Sequence, residues 1–203
     1  MSARPRVAIL DYGMGNLRSV AKAVERSGGE PAVTADSAEA SGADAMVVPG
    51  VGAFAACMAG LRETGLDAAI ERFAGSGRPL LGVCLGMQVL FERSEEGDAS
   101  GLGILRGDVV RLPGDVKVPH MGWNDVEWTG MHPLAHGRDG GQFYFVHSYA
   151  CLPGEDISVG ETEYGIRFAA AVGRDNLFGT QFHPEKSGDA GVEIYRNLVK
   201  EAT

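Results

Sequence analysis

"LLGVCLGMQVLFE", residues Leu80 to Glu92, decides the fold. An apolar run reads as a buried strand, and a helical stripe follows it at once. Between them stands a lone cysteine, Cys84, flanked by Gly82 and Gly86. G-x-nucleophile-x-G is the pattern of a nucleophile elbow, a sharp strand-to-helix turn, here with Cys in the nucleophile position. Side chains at the flanking positions would run into neighbouring backbone, which is a physical reason for two glycines. The elbow predicts a sulfur at the tip of the strand and at the start of a helix, where the dipole favours thiolate over thiol. It also leaves the backbone N–H of Leu85 free to donate to an oxyanion. The plainer alternative is that Cys84 is a small core residue, as free cysteines often are.

The texture on the N-terminal side agrees with a strand-to-helix unit. "RVAILDYG" is a short apolar run ending in turn residues. Asn16 to Ser27 carries Leu17, Val20, Ala21 and Val24 at helical spacing, and Gly28-Gly29 closes it. "PAVTA" and "ADAMVVPG" read as strands, and Leu61 to Phe73 and "LGMQVLFERS" as helices. Continuous apolar strands alternating with helices predict an α/β fold, with a mostly parallel central sheet flanked by helices on both faces. After about residue 100 come "GDVVRLPG", "KVPHMGWNDVEW", "GQFYFVHSYACLP", "RFAAAVGRD" and "NLFGTQFHPE", short runs cut by Gly, Pro and Asp. They predict additional antiparallel strands in the C-terminal half. Gly188 to Glu201 reads as a closing helix. No repeat, linker or low-complexity tract interrupts the chain, so 1–203 is expected to be one domain.

Composition excludes several classes. The chain has 203 residues, 44% hydrophobic and 22% charged, and its 18 basic against 27 acidic residues leave a formal net charge of -9. That balance disfavours a nucleic-acid grip or an anionic membrane surface, since both rest on basic side chains. The uncharged run Ala45 to Leu61 approaches membrane-spanning length, but Pro49, Gly50 and Gly52 interrupt it, and it reads as strand, tight loop and helix. The cysteines Cys57, Cys84 and Cys151 are odd in number and widely spaced, with no CxxC, which fits a reducing, cytoplasmic compartment.

A thiol nucleophile needs a base, and the base needs an orienting group. "GTQFHPEKS" supplies both: His183 ends an apolar run, and Glu185 follows two residues on. Pro184 pushes His183 toward extended backbone, where side chains at i and i+2 point the same way. The alternative for His183 is a structural histidine capping the last helix. His132 and His136 form HxxxH, but Pro133 lies between them and no HExxH exists, so no metal site is expected. His120 and His147 have no adjacent acid. Gly13-x-Gly15 fails the dinucleotide fingerprint because position 18 is Arg18.

"GVCLGMQ" together with "FHPE" resembles the class I (triad) glutamine amidotransferases, which hydrolyse glutamine to glutamate and ammonia. "LDYGMGNLRSV", "VPGVGAF", "VPHMGWN" and "FVHSYA", in that order from about residue 7 onward, narrow the resemblance to the glutaminase subunits of imidazole glycerol phosphate synthases. The resemblance implies that Cys84 attacks the glutamine amide, that His183 moves the proton, and that Glu185 orients His183. It implies a second oxyanion donor in the Gly50-Val51-Gly52 loop, beside Leu85. Many relatives carry PGG where this chain has PGVG, so the Val51 peptide would have to flip inward, and the resting site would be a poor catalyst until a partner reorganises it. Gly52, Gln88, Glu96, Ser148 and Tyr149 match positions expected around glutamine; an ordinary helix-surface residue is the alternative for Gln88.

The implied partner is a (β/α)8-barrel cyclase subunit that receives the ammonia. It makes imidazole glycerol phosphate and an aminoimidazole carboxamide ribonucleotide in histidine biosynthesis. Its candidate contacts are Pro119, His120, Met121, Gly122, Trp123 and Asn124, with Tyr144 and Lys186; whether Trp123 is exposed or a hairpin core residue stays open. No cofactor is implied. Two other functions remain open: a different cysteine hydrolase of the same fold, such as a γ-glutamyl hydrolase or another ammonia-supplying glutaminase, and a non-catalytic regulatory binding module.

Overall fold

The structure, a computed structural model, describes residues 4–135 and 140–203. Its first part alternates β1 (Arg6–Leu10), α1 (Leu17–Arg26), β2 (Glu30–Thr34), α2 (Ser37–Ser41), β3 (Ala45–Gly50), α3 (Phe54–Thr64), α4 (Leu66–Ala74), β4 (Leu80–Cys84) and α5 (Leu85–Gln88). Strands then dominate: β5 (Arg93–Ser94), β6 (Ala99–Ser100), β7 (Gly107–Arg111), β8 (His120–Trp128), β9 (Gly141–His147), β10 (Tyr149–Pro153), β11 (Ser158–Tyr164), β12 (Ile166–Arg174) and β13 (Leu177–Thr180). Helix α6 (Gly188–Glu201) closes the chain.

The larger sheet has nine strands in the order β2-β1-β3-β4-β13-β12-β11-β8-β9. The run from β2 to β13 is parallel, and the rest is antiparallel. A second sheet, β10-β7-β5-β6, is hydrogen-bonded separately and packs against the larger one near β12. Alternate residues of the parallel strands feed two cores, because successive side chains leave a strand on opposite faces. Ala8, Leu10, Met46, Val48 and Leu80 pack with Phe54, Met58, Leu61, Ile70 and Phe73 of α3 and α4. Val7, Ile9, Val47, Leu81 and Val83 pack with Val20 and Val24 of α1 and Ile194, Tyr195 and Leu198 of α6. Burial on both faces explains why these strands read as continuous apolar runs.

Three expectations are corrected. The single helix expected over Leu61 to Phe73 is two, broken where Gly65 turns left-handed at φ 70. The helix expected over "LGMQVLFERS" is one turn long: the carbonyls of Val89, Leu90, Phe91 and Glu92 accept from Leu102, Leu105, Gly103 and Gly101 instead of from a continuing helix. The run "GQFYFVHSYACLP" is cut at Ser148 into strands of different sheets. Strand β11 and helix α2, the latter capped by Asp36 accepting from Ala38 and Glu39 N–H at 2.8 Å, went unread. The uncharged run Ala45 to Leu61 is β3, a loop and most of α3, and among the described residues no helix is long and apolar enough to cross a membrane.

Candidate active site

Cys84 ends β4 with φ 54 and ψ -109, a region that costs a non-glycine residue strain. Its neighbours leave no room for side chains. A Cβ on Gly86 would lie 1.8 Å from the Val48 carbonyl oxygen, and one on Gly82 would lie 2.7 Å from the Gly86 oxygen. A Cβ on Gly50, opposite Cys84 in the register, would lie 2.7 Å from the Gly86 nitrogen. The chain therefore turns sharply against bare backbone, and this bend rather than a long helix sets the position of the sulfur. With α5 reduced to one turn, the expected dipole support for a thiolate is correspondingly small.

Strand β13 lies beside β4, so the segment that follows it arrives at the elbow. His183 is extended (φ -99, ψ 97), and Pro184–Lys186 then makes a 3-10 turn that brings Glu185 back to it. His183 Nδ1 and Glu185 Oε1 are 2.9 Å apart, with both side chains almost wholly buried. The segment is anchored from β9: His183 N–H donates to the Tyr144 carbonyl at 2.9 Å, and Ser187 Oγ donates to the His183 carbonyl at 2.7 Å. His183 does not cap α6, whose N-cap residue is Ser187. Its other nitrogen, Nε2, is buried and has no hydrogen-bond partner among the described residues. Burial by itself would lower the imidazole pKa; the charge and hydrogen-bonding influence of Cys84, then of Glu185, outweighs it and raises the value to about 10.

Cys84 opens onto a cavity of about 300 Å³ lined by Val51, Gly52, Leu85, Gln88, Glu96, Pro119, and Val146 through Tyr149. The structure thus gathers all five residues expected around glutamine, Gly52, Gln88, Glu96, Ser148 and Tyr149, on one wall system. Glu96 reaches it by bracing α3, accepting from Phe54 N–H at 2.8 Å. Gln88 is buried rather than on a helix surface. Its Nε2 donates to the Tyr149 carbonyl at 2.9 Å and to Gln181 Oε1 at 3.0 Å, leaving Oε1 for a ligand. Gln181 is the residue that sequence reasoning missed: it is fully buried, and its Nε2 donates to Cys84 Sγ at 3.6 Å. The available signal was its place two residues before His183, on the same side of an extended chain.

The loop after β3 is propped from below. Tyr12 donates to the Pro49 carbonyl, Cys57 Sγ donates to the Tyr12 oxygen at 3.4 Å, and a Cβ on Gly52 would meet Met14 Cε at 2.5 Å. Burial pushes the Tyr12 hydroxyl far up and the Cys57 thiol up to about 11, so both remain protonated donors.

The model of the glutamine amidotransferase class-I family matches residues 8–202. The chain belongs to the class I glutamine amidotransferases. It is 53% identical over 195 residues to the imidazole glycerol phosphate synthase subunit HisH of Moorella thermoacetica, covering 95% of this chain and 93% of that one. With the HisH subunit of Methanopyrus kandleri it shares 50% identity over 201 residues, 98% of this chain and 99% of that one. The solved structure of PurLQS from Thermotoga maritima shares the fold at a TM-score of 0.77 and 20% identity, over 98% of this chain and 99% of that one.

On this amidotransferase the residues expected at a partner surface divide by strand alternation. Met121 and Trp123 point outward from β8, 62% and 55% exposed. Trp123 packs edge-on against its cross-strand neighbour Tyr144 at 6.2 Å, and Lys186 Nζ lies 5.8 Å from the Tyr144 ring centre. Gly122 and Asn124 are half-buried, and Pro119 lines the cavity. His120 corrects the expectation of an exposed contact: it is 3% exposed, because even positions of β8 face inward, and it stacks on Tyr164 and Phe145. His132 engages the Asp175 carbonyl and Leu134 N–H through its two ring nitrogens; His136 lies outside the described residues.

Proposed function

We propose that this amidotransferase is one glutaminase domain that supplies ammonia to a cyclase subunit of imidazole glycerol phosphate synthase, in the cytoplasm, for histidine biosynthesis. One observation carries the reading: an imidazole clamped by a buried carboxylate adjoins a strained cysteine at the floor of a cavity sized for an amino acid. With the thiol proton held on His183 as imidazolium, Cys84 Sγ attacks the side-chain amide carbon of glutamine. The proton passes to the departing nitrogen, which leaves as ammonia, and a γ-glutamyl thioester remains. His183 then takes a proton from water, the hydroxide adds to the thioester, and glutamate and free thiol are released. The oxyanion is held by Leu85 N–H and by a second N–H from the Gly50-Val51-Gly52 loop, turned inward when the partner binds. No step calls on a cofactor.

The partner is a (β/α)8-barrel cyclase, and the pairing is a heterodimer. The aromatic and cationic patch of Met121, Trp123, Tyr144 and Lys186 has the composition of an interface centre and lies next to the His183 segment. Neither nucleic acid nor membrane enters the scheme.

The test is product analysis. The purified chain, alone and with the cyclase and its ligand, is given glutamine or γ-glutamyl peptides. Equal amounts of glutamate and ammonia from glutamine, faster with the partner, are expected. Preferential cleavage of the peptides would assign a γ-glutamyl hydrolase, and a rate indifferent to the cyclase would end the coupling proposal.

A second measurement addresses the clamp. Glu185→Gln is expected to lower kcat for glutamine by roughly 10²-fold or more, because the imidazole loses its orienting charge. The sign of the pH effect follows from the raised His183 value: the imidazolium persists up to about pH 10 in the native chain and sheds its proton earlier without the carboxylate. The alkaline limb of the pH–rate profile should therefore move to lower pH, and an unmoved limb would count against Glu185 as the orienting group.

A further inference from the structure

A chain of hydrogen bonds runs from strand β8 to the nucleophile, and its polarity can be read from its ends. The Tyr149 carbonyl can only accept. It lies 2.8 Å from His147 Nδ1, so His147 carries its proton there. Burial lowers the His147 pKa to about 3 and that of His120 to about 4, so both rings are neutral. His147 Nε2 is then a bare acceptor, and the donor beside it is His120 Nδ1 at 2.9 Å. His120 Nε2 in turn accepts from Asn124 Nδ2 at 3.4 Å, which also donates to the Glu163 carbonyl. From the other side, Tyr149 accepts from Gln88, Gln88 donates to Gln181, and Gln181 donates to Cys84. Every donor in the series has one proton arrangement available to it.

The series matters because of where His147 sits. It ends β9 at the corner where the chain passes from the large sheet to the small one, and residues Val146 to Tyr149 are a wall of the cavity. The bond from His147 to the carbonyl two residues on pins that corner, and it requires the tautomer that His120 enforces.

We propose that His120 is a positioning residue of the glutamine site: through His147 and the Tyr149 carbonyl it sets the corner wall and, across Gln88 and Gln181, the hydrogen-bond donor to Cys84. The proposal rests on the glutaminase reading above. His120 touches neither the cavity nor the sulfur and acts only through its neighbours.

Two substitutions at this position separate positioning from packing. H120F keeps a ring between Tyr164 and Phe145 but offers no N–H to His147. H120Q loses both stacks but keeps an N–H of similar reach. The full chain with its partner subunit is assayed for glutamate release, and thermal unfolding is followed in parallel. We expect H120F to unfold at the higher temperature yet lose roughly tenfold or more in kcat/KM, since it leaves a buried acceptor unpaired, while H120Q retains more activity at lower stability. If activity follows stability, with H120F the better enzyme, or if neither variant changes kcat/KM, the proposal is overturned. Should H120F not fold, Q181M reads the far end: alkylation of Cys84 by iodoacetamide at neutral pH, followed by mass spectrometry, is expected to slow severalfold, and an unchanged rate overturns the donor assignment. Glutamine hydrolysis by the unsubstituted chain is the control in each arm, so its absence would sink the glutaminase reading and a failed ranking only the relay.

Discussion

Cys84→Ala is expected to lower glutamine hydrolysis by roughly 10⁴-fold or more, since removing a nucleophile that works with a base leaves only binding and oxyanion stabilisation. The variant should keep its fold, because an alanine fills the same strained position without new contacts. A companion substitution tests the elbow itself. At an unstrained buried strand position, glycine in place of alanine costs about 1.5 kcal/mol, from a lost buried carbon and added unfolded-state entropy. At φ 54 and ψ -109 the strain released by glycine, of order 1–3 kcal/mol, offsets that cost. Cys84→Gly should therefore be inactive and no less stable than Cys84→Ala in urea unfolding. Residual hydrolysis in either variant near the native rate would remove Cys84 from the mechanism. A Cys84→Gly chain distinctly weaker than Cys84→Ala would mean that the bend is not strained.

The candidate site was legible in the sequence because its parts are local. Gly82, Cys84 and Gly86 encode the elbow within five residues, and the backbone contacts at 1.8 Å and 2.7 Å give the glycines their reason. His183 and Glu185 are separated by one proline, so their pairing needs no knowledge of the tertiary fold. The relay was illegible for the opposite reason. His120 meets His147 only because β8 and β9 pair antiparallel in that register, and a shift of one residue would turn His120 to solvent and Met121 inward. The break at Ser148 was hidden as well. No glycine or proline marks it, and it depends on β10 finding β7, where Cys151 lies opposite Val109, rather than continuing in the large sheet. Gln88 and Gln181 lie far apart in sequence and meet because β13 inserts between β4 and β12, the kind of crossover that periodicity does not announce.

Gly86→Ala is expected to be among the most damaging single methyl additions to the described residues. The new carbon would sit 1.8 Å from the Val48 oxygen and 2.7 Å from the Val48 carbonyl carbon. These are backbone atoms of β3, and β3 cannot retreat, since β1 and β4 hold it on both sides in parallel register. A flexible side chain could give way to such a contact; a central strand cannot. The cost should exceed about 4 kcal/mol, a large fraction of the stability of a domain this size. The variant should therefore be insoluble or unfold at a much lower urea concentration. Gly114→Ala is the matched control, because a Cβ there meets nothing within 4 Å, and its stability should stay within about 0.5 kcal/mol of the native chain. A folded Gly86→Ala chain of native stability would mean that β3 and the elbow do not approach as described. The donor geometry proposed for the oxyanion, Leu85 on one side and the Val51 loop on the other, would then fail with it, even if Cys84 and His183 kept their places.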